Sequence, residues 1–290
     1  MGFRTVIITK HCKVSYKAGH IVFQTDNDMQ MVPLSDINIL LLGTPQAVIT
    51  GHAVMKLIEN GVKLIFSDQK GIPLGEINGY GGHNQRNSHI KQQFEWSEDK
   101  RYVLWQKIIT NKILLQKNCL ENFELNTNGF DQLILDIEKG DNSNREAVAA
   151  RMYFPRLFGQ KFNRKDENND INAKLNFGYQ ILLSAMAREI HASGYLTELG
   201  IHHDSLNNEW NLASDLMEPF RPLVDRTVKN NMVGGLDRDI KIQLVDCLND
   251  EILFNGHQSI VTNAMHELVR IATQYLCSQH AEELKLEIDL

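Results

Sequence analysis

The chain has 290 residues, enough for two domains, and its 42% hydrophobic and 23% charged content excludes a disordered or collagen-like chain. No apolar run reaches the roughly 18 residues of a membrane span, and the N-terminal MGFRTVIITKHCK lacks the apolar core of a signal peptide, so a cytoplasmic protein with no membrane partner is expected. The net charge of −6 argues mildly against nucleic acid as a partner, but an average of this kind says little about a local patch.

Residues 1–78 read as β-rich. Val14 and Tyr16 alternate with polar residues, Lys17-Ala18-Gly19 offers a turn, and His20–Gln24 resumes an extended run. Pro33 confines its strand to an edge or an end, and 37–42 is an apolar run suited to a buried strand. A helix is predicted over 46–60, with Gly61 at its C-terminal cap; 62–67 and 71–77 return to strand. Residues 79–100 are polar and begin with a Gly-rich stretch that lacks the lysine and spacing of a phosphate-binding loop, so a linker is predicted there. From 101 the period changes to helical. Tyr102, Trp105, Ile109 and Ile113 form an apolar stripe, and Lys107, Lys112 and Lys117 lie elsewhere on that helix. Further helices are predicted over 144–158, 172–193 and 257–282. The expected fold class is α+β: a small N-terminal β-rich domain (1–78), a linker (79–100) and a larger all-helical catalytic domain (101–290). Cys12, Cys119, Cys247 and Cys277 are scattered with no CxxC and read as free thiols.

Two stretches concentrate chemistry. Between 145 and 165 stand Arg145, Arg151, Arg156, Lys161, Arg164 and Lys165, and Glu146 is the only acid among them. Residues 200–226 hold His202, His203, Asp215, Glu218 and Arg221. Imidazole with carboxylate suits Mn²⁺, and carboxylates suit Mg²⁺. Each residue also has an ordinary structural reading. Ser143-x-x-Glu146 fits a capping box, either histidine could be a hydrogen-bonded structural residue, and Asp215 and Glu218, three apart, could offset a helix dipole. Local spacing alone does not bring Glu146 to His203.

These motifs resemble the CRISPR-associated integrase family of spacer acquisition, and the resemblance covers nearly the whole chain. NREAVAARMYFPRLFG is similar to that family's glutamate-bearing helix. DINAKLNFGYQILLSAMAREIHASGYLTELGIHHD resembles the segment after it, through Asn172, Asn176, Tyr179 and the closing Gly200-x-x-His203. DLMEPFRPLVDR resembles its carboxylate helix, although many relatives carry Asp where this chain has Glu218. The wording is closest to the type II branch. The resemblance implies catalytic and metal-binding roles for Glu146, His203 and Glu218, an Mg²⁺ or Mn²⁺ cofactor, and auxiliary roles for Asp215, Arg145 and Arg221. It further implies an endonuclease and integrase that joins the 3′-hydroxyl ends of prespacer DNA to a CRISPR repeat by transesterification. Implied partners are double-stranded DNA, a second copy in a homodimer, and the small "Cas two" subunit bridging two dimers. Type II accessory acquisition proteins and the RNA-guided effector nuclease belong to the same expectation. Two other readings stand beside it: a metal-dependent DNase acting on branched DNA repair intermediates, and a non-catalytic DNA-end-binding scaffold.

Overall fold

The computed structural model describes residues 4–69, 73–77, 84–278 and 284–289. The chain divides into two compact units, 1–81 and 82–290.

Unit 1 is built of two four-stranded sheets and a helix. In the first sheet, β5 (Ile37–Leu42) lies between β1 (Arg4–Ile8) and β7 (Lys63–Ser67), parallel to both, and β8 (Pro73–Ile77) pairs antiparallel with β7. All six residues of β5 are buried, as expected of an unbroken apolar run in a strand covered on both faces. The second sheet runs β4 (Met29–Pro33), β3 (His20–Gln24), β2 (Lys13–Lys17), β6 (Val48–Ile49). Pro33 closes β4, which lies at the sheet's edge. Helix α1 (Gly51–Glu59) starts later than the sequence suggests. Val48–Ile49 pair in parallel with Lys13–Val14, and Thr50 caps the helix by accepting from the Ala53 N–H. Gly61, at φ +67°, ends it. Val14, Ile21, Leu40, Leu57 and Leu64 meet in the buried core.

Unit 2 corrects two expectations. Residues 84–100 are not a linker over their described length. Helix α2 (Arg86–Phe94) ties itself down, with the Gln93 side chain donating to the Leu196 and Leu199 carbonyls and accepting from the Leu196 N–H. Helix α3 (Glu98–Asn122) then begins at Ser97, which caps it. The predicted linker residues 79–83 lie outside the described residues. Nor is the unit all-helical. β9 (Glu251–Phe254), β10 (His257–Ile260) and β11 (Ile288–Asp289) form a three-stranded sheet, so α10 (Val261–Cys277) starts later than predicted. Asn255 (φ +50°) and Gly256 (φ +81°) make the tight turn between β9 and β10.

Around these pack α4 (Phe130–Leu135), α5 (Arg145–Phe158), α6 (Asp170–Ala192), α7 (Asn211–Leu216), α8 (Arg221–Asn230) and α9 (Arg238–Asp246). Helix α3 is the centre of the unit. Leu104, Trp105, Ile108, Ile109, Ile113, Leu115, Cys119 and Leu120 are buried along it, more than one stripe can account for. A Cβ on Gly178 would stand 2.5 Å from Val224, so glycine there lets α6 approach α8. All four cysteines are free, and burial pushes Cys119 up to about 12 and Cys247 up to about 11, so neither is a reactive thiolate at neutral pH. Among the described residues no helix is long and apolar enough to cross a membrane.

Candidate metal centre

Glu146 is placed by the start of α5. The capping box read from Ser143 is not what forms. The N-cap is Asn144, whose side chain accepts from the Ala147 N–H. Asp141, one turn back, accepts from the N–H groups of Arg145 (2.7 Å) and Glu146 (3.0 Å). The first turn is therefore satisfied by other side chains, and the Glu146 carboxylate reaches elsewhere. Its Oε1 lies 2.5 Å from Nζ of Lys112 on α3.

Glu218 stands in the single 3₁₀ turn Glu218–Phe220 that leads into α8, where Pro222 occupies the first turn without needing a donor. Its Oε2 lies 2.5 Å from the same Lys112 Nζ, and its Oε1 lies 3.0 Å from the Arg221 guanidinium. Burial alone would raise the pKa of Glu218. Arg221 and Lys112 outweigh it and hold the carboxyl below its usual range. For Lys112, burial would lower the pKa, but Glu218 and Glu146 raise it overall. Both groups are thus ionised at neutral pH.

His203 is held by Asp215. The carboxylate of Asp215, fully buried on α7, accepts from the N–H groups of Ile201 (2.6 Å), His202 (3.0 Å) and His203 (3.1 Å), and it contacts His203 Nδ1 at 2.5 Å. Asn211, one turn earlier on α7, donates to the Glu198 and Ser205 carbonyls. Together these fasten the loop 198–205 to one helix. Gly200 is required by the same arrangement, since a Cβ there would stand 2.2 Å from the His203 carbonyl and 2.8 Å from Asp215. The Asp215 contact raises the His203 pKa, against burial, with smaller contributions from Glu218 and Glu146. Those contributions place His203 in the field of both glutamates. His202 does something else: its ring stacks on Trp105 of α3, centroids 4.2 Å apart and planes 2° from parallel.

The structure therefore brings Glu146 and Glu218 to one cationic point, and His203 feels the charge of both. It gives Asp215 a positioning role behind the imidazole. Arg221 packs over the Tyr179 ring at 4.8 Å while pairing with Glu218, and the Tyr179 hydroxyl donates to buried Asp225. Arg145 lies outside this centre, 3.7 Å from Asp136. The basic run divides likewise. Arg156 donates to the Asn126 and Asn128 carbonyls, and Arg164 donates to Asn176, whereas Arg151, Lys161 and Lys165 are exposed. Sequence reading missed Lys112, Asn211 and Trp105. The signal for Lys112 was the run of apolar residues directly after it, Ile113 to Leu115, with Ile108 and Ile109 one turn before it, in IITNKILL.

The donor set suits a hard divalent ion: two carboxylates already share one cation, and an imidazole bonded through Nδ1 has Nε2 left to ligate. In this side-chain arrangement no three His, Cys, Asp or Glu groups among the described residues meet at one point. The place the two glutamates share is held by Lys112 Nζ.

Known proteins give the same frame. The family profile described as CRISPR associated protein Cas1 matches residues 5–234. The chain belongs to the Cas1 family. It is 32% identical to the CRISPR-associated endonuclease Cas1 of Neisseria meningitidis serogroup C (strain 8013), over 99% of this chain and 96% of that protein. Among solved structures, a casposase bound to its integration product superposes with a TM-score of 0.80 at 20% identity, covering 97% of this Cas1-family chain and 92% of that chain. A Cas6-RT-Cas1–Cas2 complex gives 0.74 at 15% identity, covering 98% of this chain and 36% of that one.

Proposed function

We propose that this protein is a divalent-metal-dependent DNA endonuclease and integrase that joins the 3′-hydroxyl ends of short DNA to a CRISPR repeat. The observation that carries the reading is the meeting of Glu146 and Glu218 on one cation, in a chain of the Cas1 family. Relatives named as endonucleases and a similar fold bound to an integration product support it.

Glu146, His203 and Glu218 would hold Mg²⁺ or Mn²⁺, which when bound activates a hydroxyl nucleophile and offsets charge on the attacked phosphodiester. The chain's own residues do the rest. Asp215 holds the ring of His203 through Nδ1, which leaves Nε2 as the nitrogen to ligate, and it favours the tautomer with the proton on Nδ1. Arg221 keeps a fixed positive charge beside Glu218, stacked on Tyr179 and so unable to swing freely. Exposed Arg151, Lys161 and Lys165 offer phosphate contacts, which makes DNA binding salt-dependent. Joining at both ends of a repeat needs two sites, so the working assembly is a pair of dimers bridged by a Cas2 subunit. The similar fold within a Cas6-RT-Cas1–Cas2 complex supports that partner.

The test is strand joining of a labelled 3′-hydroxyl duplex into a repeat-bearing target, with Mg²⁺ or Mn²⁺. Joined product is expected from the wild type, none from a 3′-dideoxy end, and none from Glu146→Ala, His203→Ala or Glu218→Ala. Cleavage of branched DNA without joining would instead make this a repair DNase. Binding that persists in chelator, with no chemistry under any condition, would make it a DNA-end scaffold.

A further inference from the structure

We propose that Lys112 is a built-in counter-cation of this centre, and that a divalent ion must displace its ammonium to bind Glu146 and Glu218 together. The inference rests on reading those glutamates as metal ligands. Three separate elements converge here: Lys112 from α3, Glu146 from the first turn of α5, and Glu218 from the turn before α8. The ammonium lies 2.5 Å from an oxygen of each glutamate. Both oxygens of Glu218 are engaged, Oε1 by Arg221 and Oε2 by Lys112. A metal bridging Glu146 and Glu218 would need the point between them that Lys112 Nζ now occupies.

The two cations differ in how easily they leave. Arg221 is committed to the Tyr179 ring as well as to Glu218, and its planar guanidinium has a fixed fork. Lys112 is a compact charge on a flexible four-carbon stem. It also spans Glu146 and Glu218, the two carboxylates a metal would need to share. Charge points the same way. Two carboxylates with Lys112 and Arg221 sum to zero. A divalent ion added beside an unmoved ammonium would put three positive charges on two carboxylates, with Arg221 a fourth. Withdrawal of Lys112 from between the glutamates is the response that leaves the Arg221 contacts intact. On this view Lys112 sets how much free metal the site needs, and it prevents the buried Glu218 carboxylate from facing half-buried Glu146 unpaired.

The experiment titrates full-length protein with Mn²⁺, following free Mn²⁺ by electron paramagnetic resonance, and records thermal unfolding in chelator and in Mn²⁺. Lys112→Met and Lys112→Gln are expected to bind Mn²⁺ at least about tenfold more tightly than wild type. They should melt at lower temperature in chelator and gain more from Mn²⁺. Lys112→Arg, which keeps the charge, should bind Mn²⁺ no more tightly than wild type. Should Lys112→Met not fold in chelator, Lys112→Gln, which keeps a hydrogen-bond donor, decides the matter. Wild-type binding of Mn²⁺ with the Met and Gln variants unchanged in affinity and melting would overturn the role of Lys112 and leave the metal site standing. A wild type that takes up no Mn²⁺ would overturn both.

Discussion

The ring Nδ1 of His203 lies 2.5 Å from a carboxylate oxygen of Asp215, and Asp215 has no exposed surface. The same carboxylate accepts three successive backbone N–H groups, from Ile201 to His203. Asp215 thus acts through the histidine and its loop. Asp215→Ala would leave the buried Ile201 N–H unsatisfied and remove the acceptor of the His202 and His203 N–H groups, and it is expected to lose roughly 2–4 kcal/mol of stability. His203→Ala, whose side chain is 43% exposed, should lose less than about 1 kcal/mol. Both should abolish strand joining. Urea unfolding of the two variants separates the roles. Equal stability of the two would show that something other than Asp215 holds the loop.

The start of α5 gives a second contrast. Ser143→Ala is expected to stay within about 0.5 kcal/mol of wild type, because Ser143 caps nothing in the structure. Asn144→Ala and Asp141→Ala should each lose about 1–2 kcal/mol, since their side chains accept from Ala147, Arg145 and Glu146 N–H groups. Glu146→Ala should remove no cap. Chemical denaturation of the four variants checks this; losses for Ser143→Ala and Glu146→Ala matching those of Asn144→Ala would restore the capping box.

That contrast shows where sequence stops. Ser143-x-x-Glu146 is a sound capping-box spelling, but the chain turns through left-handed backbone at Gly140, Asp141 and Asn144, which moves the cap one residue on. The order of elements was legible because β5 and α6 are long and strongly patterned. Asn255-Gly256 has a common spelling of a tight hairpin, but the helical period of α10 just after it hid the turn, and a helix over 257–282 was predicted instead. The grouping of Glu146 with His203 and Glu218 could not come from local spacing. Family resemblance proposed it, and tertiary packing brings the two glutamates together. Lys112 was read with Lys107 and Lys117 as lying off the apolar stripe, because period alone does not reveal a helix buried on most of its faces.

Asp225 makes a pH prediction. Burial pushes its carboxyl up to about 6 from 3.8, despite the Tyr179 hydroxyl that donates to it. The folded state therefore binds this proton more tightly than the unfolded state does. Its ionisation destabilises the fold above pH about 6, and that loss is recovered as pH falls from about 6 toward 4. The raised His203 works in the same direction, contributing stability at low pH that is lost as pH rises through its folded value. Asp225→Asn isolates the first effect. At pH 7.5 it should be at least as stable as wild type, by an amount on the order of 2 kcal/mol, and the two should converge near pH 4–5. Melting temperatures across pH 4–8 decide it. A parallel pair of curves would show that Asp225 titrates alike in both states.

The last prediction concerns assembly. In unit 1, β4 ends its sheet, and on it Met29 and Met31 are 62% and 45% exposed. An apolar edge strand with unpaired backbone groups invites pairing unless something covers it. A symmetric pairing of two such edges would satisfy the open backbone groups of both. The full-length protein is expected to be a dimer at micromolar concentration, and the chain without residues 1–81 a monomer. Met29→Lys with Met31→Lys should also yield monomer, because lysines at an edge oppose pairing, without lowering the melting temperature to that of an unfolded chain. Light scattering reads the mass, and circular dichroism confirms the fold. A truncated chain that still dimerises would move the interface to unit 2. A double-lysine variant that stays dimeric would clear β4 of the role and leave the rest of unit 1 to supply the contact.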